Sequence, residues 1–409
     1  MPTPRADTYN IASSETLWAG RDGPPGWVFS AAVGEWGVVP AGNLLSALNP
    51  GLNAALNPDY PSAPPWGAQH NAVLNAWNSM AVDPEGRVFA WGGGHADYGG
   101  NEPYMLDLRA DTPTWVMRRP PTGSLLVPAA DVGVVDSSAP SIAASATGFY
   151  SDGRPRPTHT YGANVYVPGM GMAIANLLYV WPHVNGPKKA VLFDDLANDW
   201  QLLSDYSALG DTTAFGVGTC WDPTRRCIWV LSGGSYNMLR INVDDGSASR
   251  VGTVSGWVEE PVTLRYDSEL DLVHIMSSGN YSPGLRRNLV FDPATGTIHV
   301  PPSATGTAPA GWDLAFGEGA AWDQAGARWL IWNGSQTERR ELVTLTRPAG
   351  DPRTTAWTLG TVSAAGAVTP PTKPTPRIYN RFDYVPALGI CVLLTRTTDQ
   401  VHFYKVRNV

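Results

Sequence analysis

The sequence NAWNSMAVDPEGRVFAWGGGHADYGGNEPYMLDLRADTPTW, residues 75–115, predicts four short β-strands joined by turns. Its apolar runs at 76–82 and 87–91 are separated by the turn DPEG, and further apolar runs begin at Pro103 and Trp115. Three glycines at 92–94 fill the second loop, where glycine permits positive φ and close approach of neighbouring backbones. Four strands at this spacing are typical of one β-propeller blade.

The turn after the first strand recurs along the chain, which indicates a repeat architecture. Its six copies are MAVDPEGRVFAW at Asp83, VYVPGMGMAIA at Val167, CWDPTRRCIWVL at Asp222, LRYDSELDLVHIM at Asp267, AAWDQAGARWLIW at Asp323 and FDYVPALGICVLL at Val385. Each copy supplies the first hairpin of a blade, so the pattern predicts six blades, of which the second is the least regular.

An aromatic residue recurs at the expected outer strand of each blade. The residues in this slot are Trp115, Trp200, Trp257 and Trp357, with His299 in the fourth copy. The sixth copy lacks the slot because the sequence ends at Val409, whereas GEWGVVPAGN at 34–43 has the form of WVMRRPPTGS at 115–124. We therefore expect the segment at about 34–40 to complete the last blade and to remove an exposed sheet edge.

The predicted fold class is all-β, a single six-bladed Kelch-like β-propeller over 31–409 that follows an N-terminal arm, 1–30. Its best repeat, GGGHADYGGNEPYMLDL…W, resembles the Kelch repeat and the propeller domain of galactose-oxidase-type proteins. Weaker copies of that repeat are Gly233-Gly234…Leu239…Trp257 and Asn333-Gly334…Leu342…Trp357.

The resemblance implies architecture rather than chemistry. Galactose oxidases hold copper with two tyrosines, two histidines and a cysteine that is cross-linked to one tyrosine. The sequence contains no adjacent Tyr-His pair, and no short metal-binding spacing such as His-x-His or Cys-x-x-Cys. We therefore expect neither a copper site nor another cofactor.

Composition and charge limit the fold class, the partners and the location that we expect. With 43 Gly and 36 Pro among 409 residues, a helical protein is not expected. A net charge of -8 argues against nucleic acid as a partner, since that would require a basic face. The sequence has no apolar run of membrane-spanning length and no apolar signal segment, so we expect cytoplasmic synthesis, and a virion or extracellular location without a classical signal peptide.

Cys220 and Cys227 flank a hairpin turn and are either bridged or packed as free thiols.

In a propeller blade, the loop before the inner strand and the loop between the second and third strands lie on one face. The polar and aromatic residues of these loops are candidates for a ligand site: His70, His95, Asp97, Tyr98, His159, Tyr161, Trp181, His183, Tyr236, Tyr281 and Arg381. The long insertions 40–69 and 118–157 are expected on the same face, and long loops of this kind commonly build binding surfaces.

The candidate residues on this face are compatible with three classes of function. The favoured one is a non-catalytic protein that binds a surface glycan or receptor within a larger assembly, such as a bacteriophage tail or capsid. The second is a polysaccharide lyase or hydrolase that uses His70, His95, His159, Tyr161 and Arg381, since neutral His or Tyr can abstract a proton beside a carboxylate that Arg neutralises. The third is a Kelch-type scaffold that binds another protein.

Overall fold

The computed structural model describes residues 23–50, 70–94, 97–122, 148–177, 188–210, 217–231, 237–253, 262–277, 287–307, 319–332, 334, 340–372 and 378–409. Within these residues, the chain forms six four-stranded antiparallel sheets. The prediction of a six-bladed β-propeller is confirmed.

The first three blades follow the chain in order. Blade 1 contains β2 (Met80–Val82), β3 (Arg87–Ala90), β4 (Tyr104–Asp107) and β5 (Trp115–Met117). Blade 2 contains β6 (Asn164–Val167), β7 (Gly171–Ile174), β8 (Lys189–Asp194) and β9 (Asp199–Asp205). Blade 3 contains β10 (Gly218–Asp222), β11 (Cys227–Leu231), β12 (Asn237–Asn242) and β13 (Ala248–Thr253).

The last three blades repeat this order, and the sixth takes its outer strand from the N-terminal part of the chain. Blade 4 contains β14 (Val262–Asp267), β15 (Leu272–Ser277), β16 (Arg287–Asp292) and β17 (Thr297–His299). Blade 5 contains β18 (Gly319–Asp323), β19 (Arg328–Trp332), β20 (Leu342–Thr346) and β21 (Thr358–Val362). Blade 6 contains β22 (Phe382–Val385), β23 (Ile390–Leu393), β24 (His402–Lys405) and β1 (Trp36–Val38).

The ring closes through β1, as the sequence predicts. Trp36 pairs with Tyr404, and Val38 with His402, in the antiparallel register of β1 and β24. The first strand of each sheet is the inner one, because β2, β6, β10 and β14 contact one another in succession and β22 contacts both β18 and β2. The described helical segments are short: a helix, α1 (Ala72–Asn75), and 3₁₀ turns at Gly26–Ser30, Leu45–Leu48, Ser207–Leu209 and Pro386–Leu388.

A buried aspartate shapes the first turn in four of the six blades. Asp83, Asp222, Asp267 and Asp323 each accept a backbone N–H from within the turn that follows. Blades 2 and 6 have Val167 and Val385 at this position. The side-chain acceptor replaces a backbone partner in the turn, which explains why Asp recurs there.

Ion pairs tie neighbouring blades together on the side of these turns. Arg87 of blade 1 pairs with Asp195 of blade 2, and Arg225 of blade 3 pairs with Asp271 of blade 4 at 2.6 Å. Asp267 pairs with Arg347 of blade 5, and Asp323 pairs with Arg407 beyond blade 6. The turn aspartates therefore contribute to blade-to-blade packing as well as to their own hairpins.

Two predicted details are wrong. The outer strand of blade 3 is β13, not the segment at Trp257, because the connection between β11 (ending at Leu231) and β12 (beginning at Asn237) is shorter than its counterparts in the other blades and brings the outer strand forward. The inner strand of blade 1 starts at Met80 and not at residue 76, because α1 and a loop precede it.

Both Cys220 and Cys227 are buried free thiols, and burial raises the pKa of Cys227 to about 12. None of the described helices is long and apolar enough to cross a membrane.

Candidate functional site

Four aromatic residues from blades 1, 2 and 6 form a continuous chain of ring contacts where the inner strands begin; we call Trp77, His159, Tyr161 and Tyr379 the aromatic chain. Trp77 stacks on His159 with ring centroids 4.9 Å apart. Tyr161 meets the His159 ring edge-on at 5.9 Å and the Tyr379 ring at 5.6 Å. Three of these rings precede the inner strands β2, β6 and β22, so the chain crosses one end of the propeller axis.

The backbone of the aromatic chain is strained. Trp77, Tyr161 and Tyr379 have φ values of 55°, 50° and 37°, and Asn380 follows at 28°. Large side chains rarely adopt the left-handed region, which costs about 1–3 kcal/mol at each position. The other described non-glycine residues with positive φ, namely Asn198, Arg226, Asp271 and Ala327, lie in hairpin turns. The strain outside hairpins is therefore concentrated at this one end of the axis.

Hydrogen bonds between blades 1 and 2 hold the strained segments in place. The Tyr161 N–H donates to the Trp77 carbonyl at 2.7 Å, and the Thr160 N–H donates to Asn78 Oδ1 at 2.8 Å. The Ser79 N–H donates to Thr160 Oγ1 at 2.8 Å. The glycine run makes this approach possible, since a Cβ on Gly94 would lie 2.4 Å from the Thr158 backbone.

His159 and Asp97 form the polar part of the site. His159 Nε2 lies 2.8 Å from Asp97 Oδ2, and the histidine ring is almost buried beneath Trp77. The Asp97 side chain is 31% exposed, and Trp77 is half-buried. A ligand at this face would therefore meet an aromatic ring and a carboxylate acceptor, with the histidine behind them.

The structure brings Asp97, His159 and Tyr161 together, whereas His70 and Tyr98 belong to a neighbouring buried network. Tyr98 and Tyr104 both donate to Glu102 Oε1, at 2.5 and 2.7 Å. His70 Nε2 lies 2.8 Å from the Tyr104 hydroxyl, and that hydroxyl already gives its proton to Glu102. We infer that neutral His70 carries its proton on Nε2 and donates it to Tyr104.

Arg381 is fully buried and serves a different purpose. Its guanidinium donates to the carbonyls of Ile378 and Thr395, at 2.9 and 2.6 Å, and burial lowers its pKa to about 9. It fixes the segment that carries Tyr379. The predicted site residues His95, Trp181, His183, Tyr236 and Tyr281 lie outside the described residues, and so do most of the two insertions.

Trp77, Tyr379, Asn380 and Glu102 complete these clusters but were not among the predicted site residues. The apolar run 76–82 predicts a strand that includes Trp77, so the sequence does not mark this residue as part of a site. Glu102 had one usable signal, an acidic residue within the otherwise uncharged run from Tyr98 to Leu106. No group of three or more His, Cys, Asp or Glu side chains suited to a metal ion occurs in the described part of the chain.

Burial shifts the pKa values of His70 and Glu102 in opposite directions, which predicts opposing effects of pH on stability. The pKa of His70 falls from 6.5 to about 4, so the stability contributed by its neutral ring is complete above pH 6.5 and is lost as pH falls towards 4. The pKa of Glu102 rises from 4.5 to about 7, despite the hydrogen bonds from both tyrosines. Its contribution is complete below pH 4.5 and is lost as pH rises towards 7.

Both residues make the free energy of unfolding depend on pH, with slopes of opposite sign. We expect these two slopes to cancel in wild type between pH 4.5 and 6.5. In Glu102→Gln only the His70 slope remains, and the free energy of unfolding should fall by about 2 kcal/mol as pH drops across this window. His70→Gln is the matched control and should show the reverse slope. Urea titrations at several pH values measure both, and variants that keep the wild-type pH profile would contradict the assignment.

The fold and the site define a six-bladed β-propeller with a strained aromatic cluster over one end of its axis. No protein-family model matches the sequence, and no curated protein sequence matches it either. Several solved structures are similar in fold, and three of them illustrate the likeness. One is a structural genomics protein of unknown function from Bacteroides thetaiotaomicron VPI-5482, with 11% identity, coverage of 80% of this chain and 69% of that chain, and a TM-score of 0.45.

The second is an auxiliary nutrient binding protein from the same organism, with 8% identity, coverage of 81% of this chain and 68% of that chain, and a TM-score of 0.45. The third is the GH74 enzyme of Niastella koreensis, with 13% identity, coverage of 81% of this chain and a TM-score of 0.41. The chain spans 45% of the length of that enzyme. At these identities the similarity concerns the fold alone.

Proposed function

We propose that this propeller is a non-catalytic protein that binds a surface glycan through Trp77 and Asp97. The observation that carries the proposal is the strain at Trp77, Tyr161 and Tyr379, whose rings are held in contact at one end of the axis. Strained backbone persists where the surrounding structure enforces it, and it concentrates at functional sites.

The chemistry of the exposed groups fits a sugar. The apolar face of a sugar ring can stack on an indole, and a carboxylate accepts hydrogen bonds from hydroxyls. Asp97 is oriented by His159, and Trp77 is supported from behind by the same ring. Such a preorganised pair loses little conformational entropy when it binds. We place this activity in a larger assembly, such as a bacteriophage tail or capsid, where a glycan receptor on the host surface is the partner.

The test is retention of the full chain on immobilised bacterial surface polysaccharides. Trp77→Gly removes the ring and also relieves the positive φ, so the variant should stay folded and lose retention by at least about tenfold. Phe29→Ala serves as the control, because Phe29 is a 54% exposed aromatic residue near the outer strand of blade 6. Equal retention of wild type and Trp77→Gly would refute the proposed site.

The second candidate function is degradation of the same polysaccharide, which the His159–Asp97 pair favours. A carboxylate that hydrogen-bonds one ring nitrogen can orient a histidine as a general base. In a lyase, that base would take the proton beside the uronate carboxylate while the adjacent glycosidic C–O bond breaks and its oxygen takes a proton from water, which leaves one unsaturated end and one new reducing end. The appearance of such ends with wild type, and their loss in His159→Gln, would select this function instead.

A further inference from the structure

A central cavity of about 590 Å³ opens at the opposite end of the propeller axis from the aromatic chain. Its lining includes Pro84, Pro168, Pro223 and Pro386, which belong to the turns that follow the inner strands. The aromatic chain precedes those strands. The cavity therefore opens away from Trp77 and Asp97, and the two regions meet only at Asn380, which follows Tyr379 and lines the inner end of the cavity.

Hydrogen bonds between blades cross the inner end of the cavity. Asn380 accepts a hydrogen bond from Thr263 Oγ1 at 2.6 Å, and its amide nitrogen lies 3.5 Å from the Gly162 carbonyl. Thr219 Oγ1 donates to the same carbonyl at 2.7 Å. Blades 2, 3, 4 and 6 thus meet at this point, and Asn380 and Thr219 form a polar floor to the cavity.

Aromatic side chains line the mouth at one repeated position. Five of the six inner strands carry an aromatic residue directly before the first turn, and all five line the cavity: Tyr166, Trp221, Tyr266, Trp322 and Tyr384. Blade 1 has Val82 at this position. Trp221, Tyr266 and Tyr384 keep an exposed fraction, whereas Tyr166 and Trp322 are buried between blades.

One residue deeper, the wall carries an ion pair between two blades. A further cation of the lining, Arg407, is paired with Asp323. Arg265 of blade 4 reaches Asp383 of blade 6 at 2.8 Å, and both residues line the cavity. The equivalent positions in the other blades are small or apolar: Ala81, Val165, Cys220 and Ala321. In the ring of inner strands, Ala321 of blade 5 lies between Arg265 and Asp383. Because its side chain is small, the Arg265 side chain has room to extend past blade 5 to Asp383.

This arrangement restricts the class of ligand. An apolar ligand would displace the water that still reaches the ion pair without replacing its hydrogen bonds, which costs about 1–3 kcal/mol for each group. A charged ligand would be attracted by one member of the pair and repelled by the other. A neutral polyol ring avoids both penalties. Its hydroxyls donate to Asp383 and accept from Arg265, and its apolar face packs on the aromatic rings.

We propose that the central cavity is a binding site for a neutral sugar residue, with Arg265 and Asp383 recognising adjacent hydroxyls and Trp221, Tyr266 and Tyr384 packing against the ring. A cavity of this volume is within the range of small-molecule sites, which run from about 300 to 1,000 Å³. The site is distinct from Trp77 and Asp97, so either can be lost without the other.

The test is calorimetric titration of the full chain with four methyl glycosides, those of glucose, galactose, mannose and N-acetylglucosamine. We expect saturable binding of at least one glycoside. Ala325→Trp should weaken that binding by at least about tenfold, because Ala325 is an exposed residue at the mouth and an indole there would obstruct it. The matched control is Ala294→Trp, an exposed turn alanine outside the cavity lining, and it should bind as wild type does.

Asp383→Asn gives a second measurement that does not depend on blocking the mouth. Loss of a charged acceptor should weaken binding by about tenfold or more, and Trp77→Gly should leave it unchanged. Failure of all four glycosides to bind would overturn the proposal, as would wild-type affinity in Ala325→Trp. Binding that Trp77→Gly abolishes and Ala325→Trp spares would also overturn it, and would assign the sugar to the other face.

Discussion

Replacing Trp36 by alanine is expected to lower the free energy of unfolding by about 4 kcal/mol, because this side chain anchors the strand that closes the ring. Trp36 is 2% exposed and lies 5.5 Å from the Tyr404 ring and 6.0 Å from the Phe382 ring. Its indole nitrogen donates to the Arg340 carbonyl of blade 5 at 2.8 Å. The substitution removes a large buried ring and leaves that carbonyl without its donor.

Val38→Ala is the matched control, since Val38 lies in the same strand and is 36% exposed. We expect it to cost less than about 1 kcal/mol. Denaturant unfolding followed by circular dichroism measures both variants. Equal stability of Trp36→Ala and wild type would mean that β1 does not hold the ring closed.

Replacing Asp267 by asparagine is expected to cost about 3 kcal/mol at neutral pH, because this carboxylate is the centre of a buried network between blades 4 and 5. Asp267 accepts hydrogen bonds from His274 Nε2 and Gln324 Nε2, each at 2.8 Å, and pairs with Arg347. Asparagine keeps the shape but leaves the Arg347 charge with Glu269 as its remaining acidic partner.

The hydrogen bonds from His274 and Gln324, together with the charge on Arg347, outweigh burial and hold the pKa of Asp267 well below its ordinary value of 3.8. Its contribution is therefore present above pH 3.8 and is lost as pH falls below it, so wild type and variant should converge in acid. Asp244→Asn is the control, because the Arg226–Asp244 pair is solvent-exposed and contributes less than about 1 kcal/mol. A similar cost for both substitutions, or a difference between wild type and Asp267→Asn that persists at low pH, would count against this account.

The fold could be predicted because its determinants are local and repeated. A turn flanked by apolar runs marks each first hairpin, with Asp at its start in four of the six blades, and the motif at Trp36 matches the motif at Trp115. The prediction failed for the outer strand of blade 3, where Trp257 has the right residue type and spacing. The length of one hairpin decides that strand, and no side-chain pattern records this length.

The site could be predicted only in part. Sequence position indicates which face a loop lies on, so Asp97, His159 and Tyr161 could be grouped, but it does not indicate which way a side chain points. The His70 side chain lies inside the protein, where it contacts the Tyr104 hydroxyl, and the buried Arg381 side chain donates to backbone carbonyls. Trp77 could not be recognised, because its role depends on a positive φ that tertiary hydrogen bonds impose.

Glycan binding through Trp77 and Asp97, without cleavage of the glycan, is the proposal on which the rest depends. The most direct test is to incubate wild type and Trp77→Gly with bacterial surface polysaccharides, and to follow both retention and new reducing ends. The account predicts retention of wild type, loss of retention in the variant and no new ends in either. New ends that require His159 would contradict it, as would retention that does not depend on Trp77.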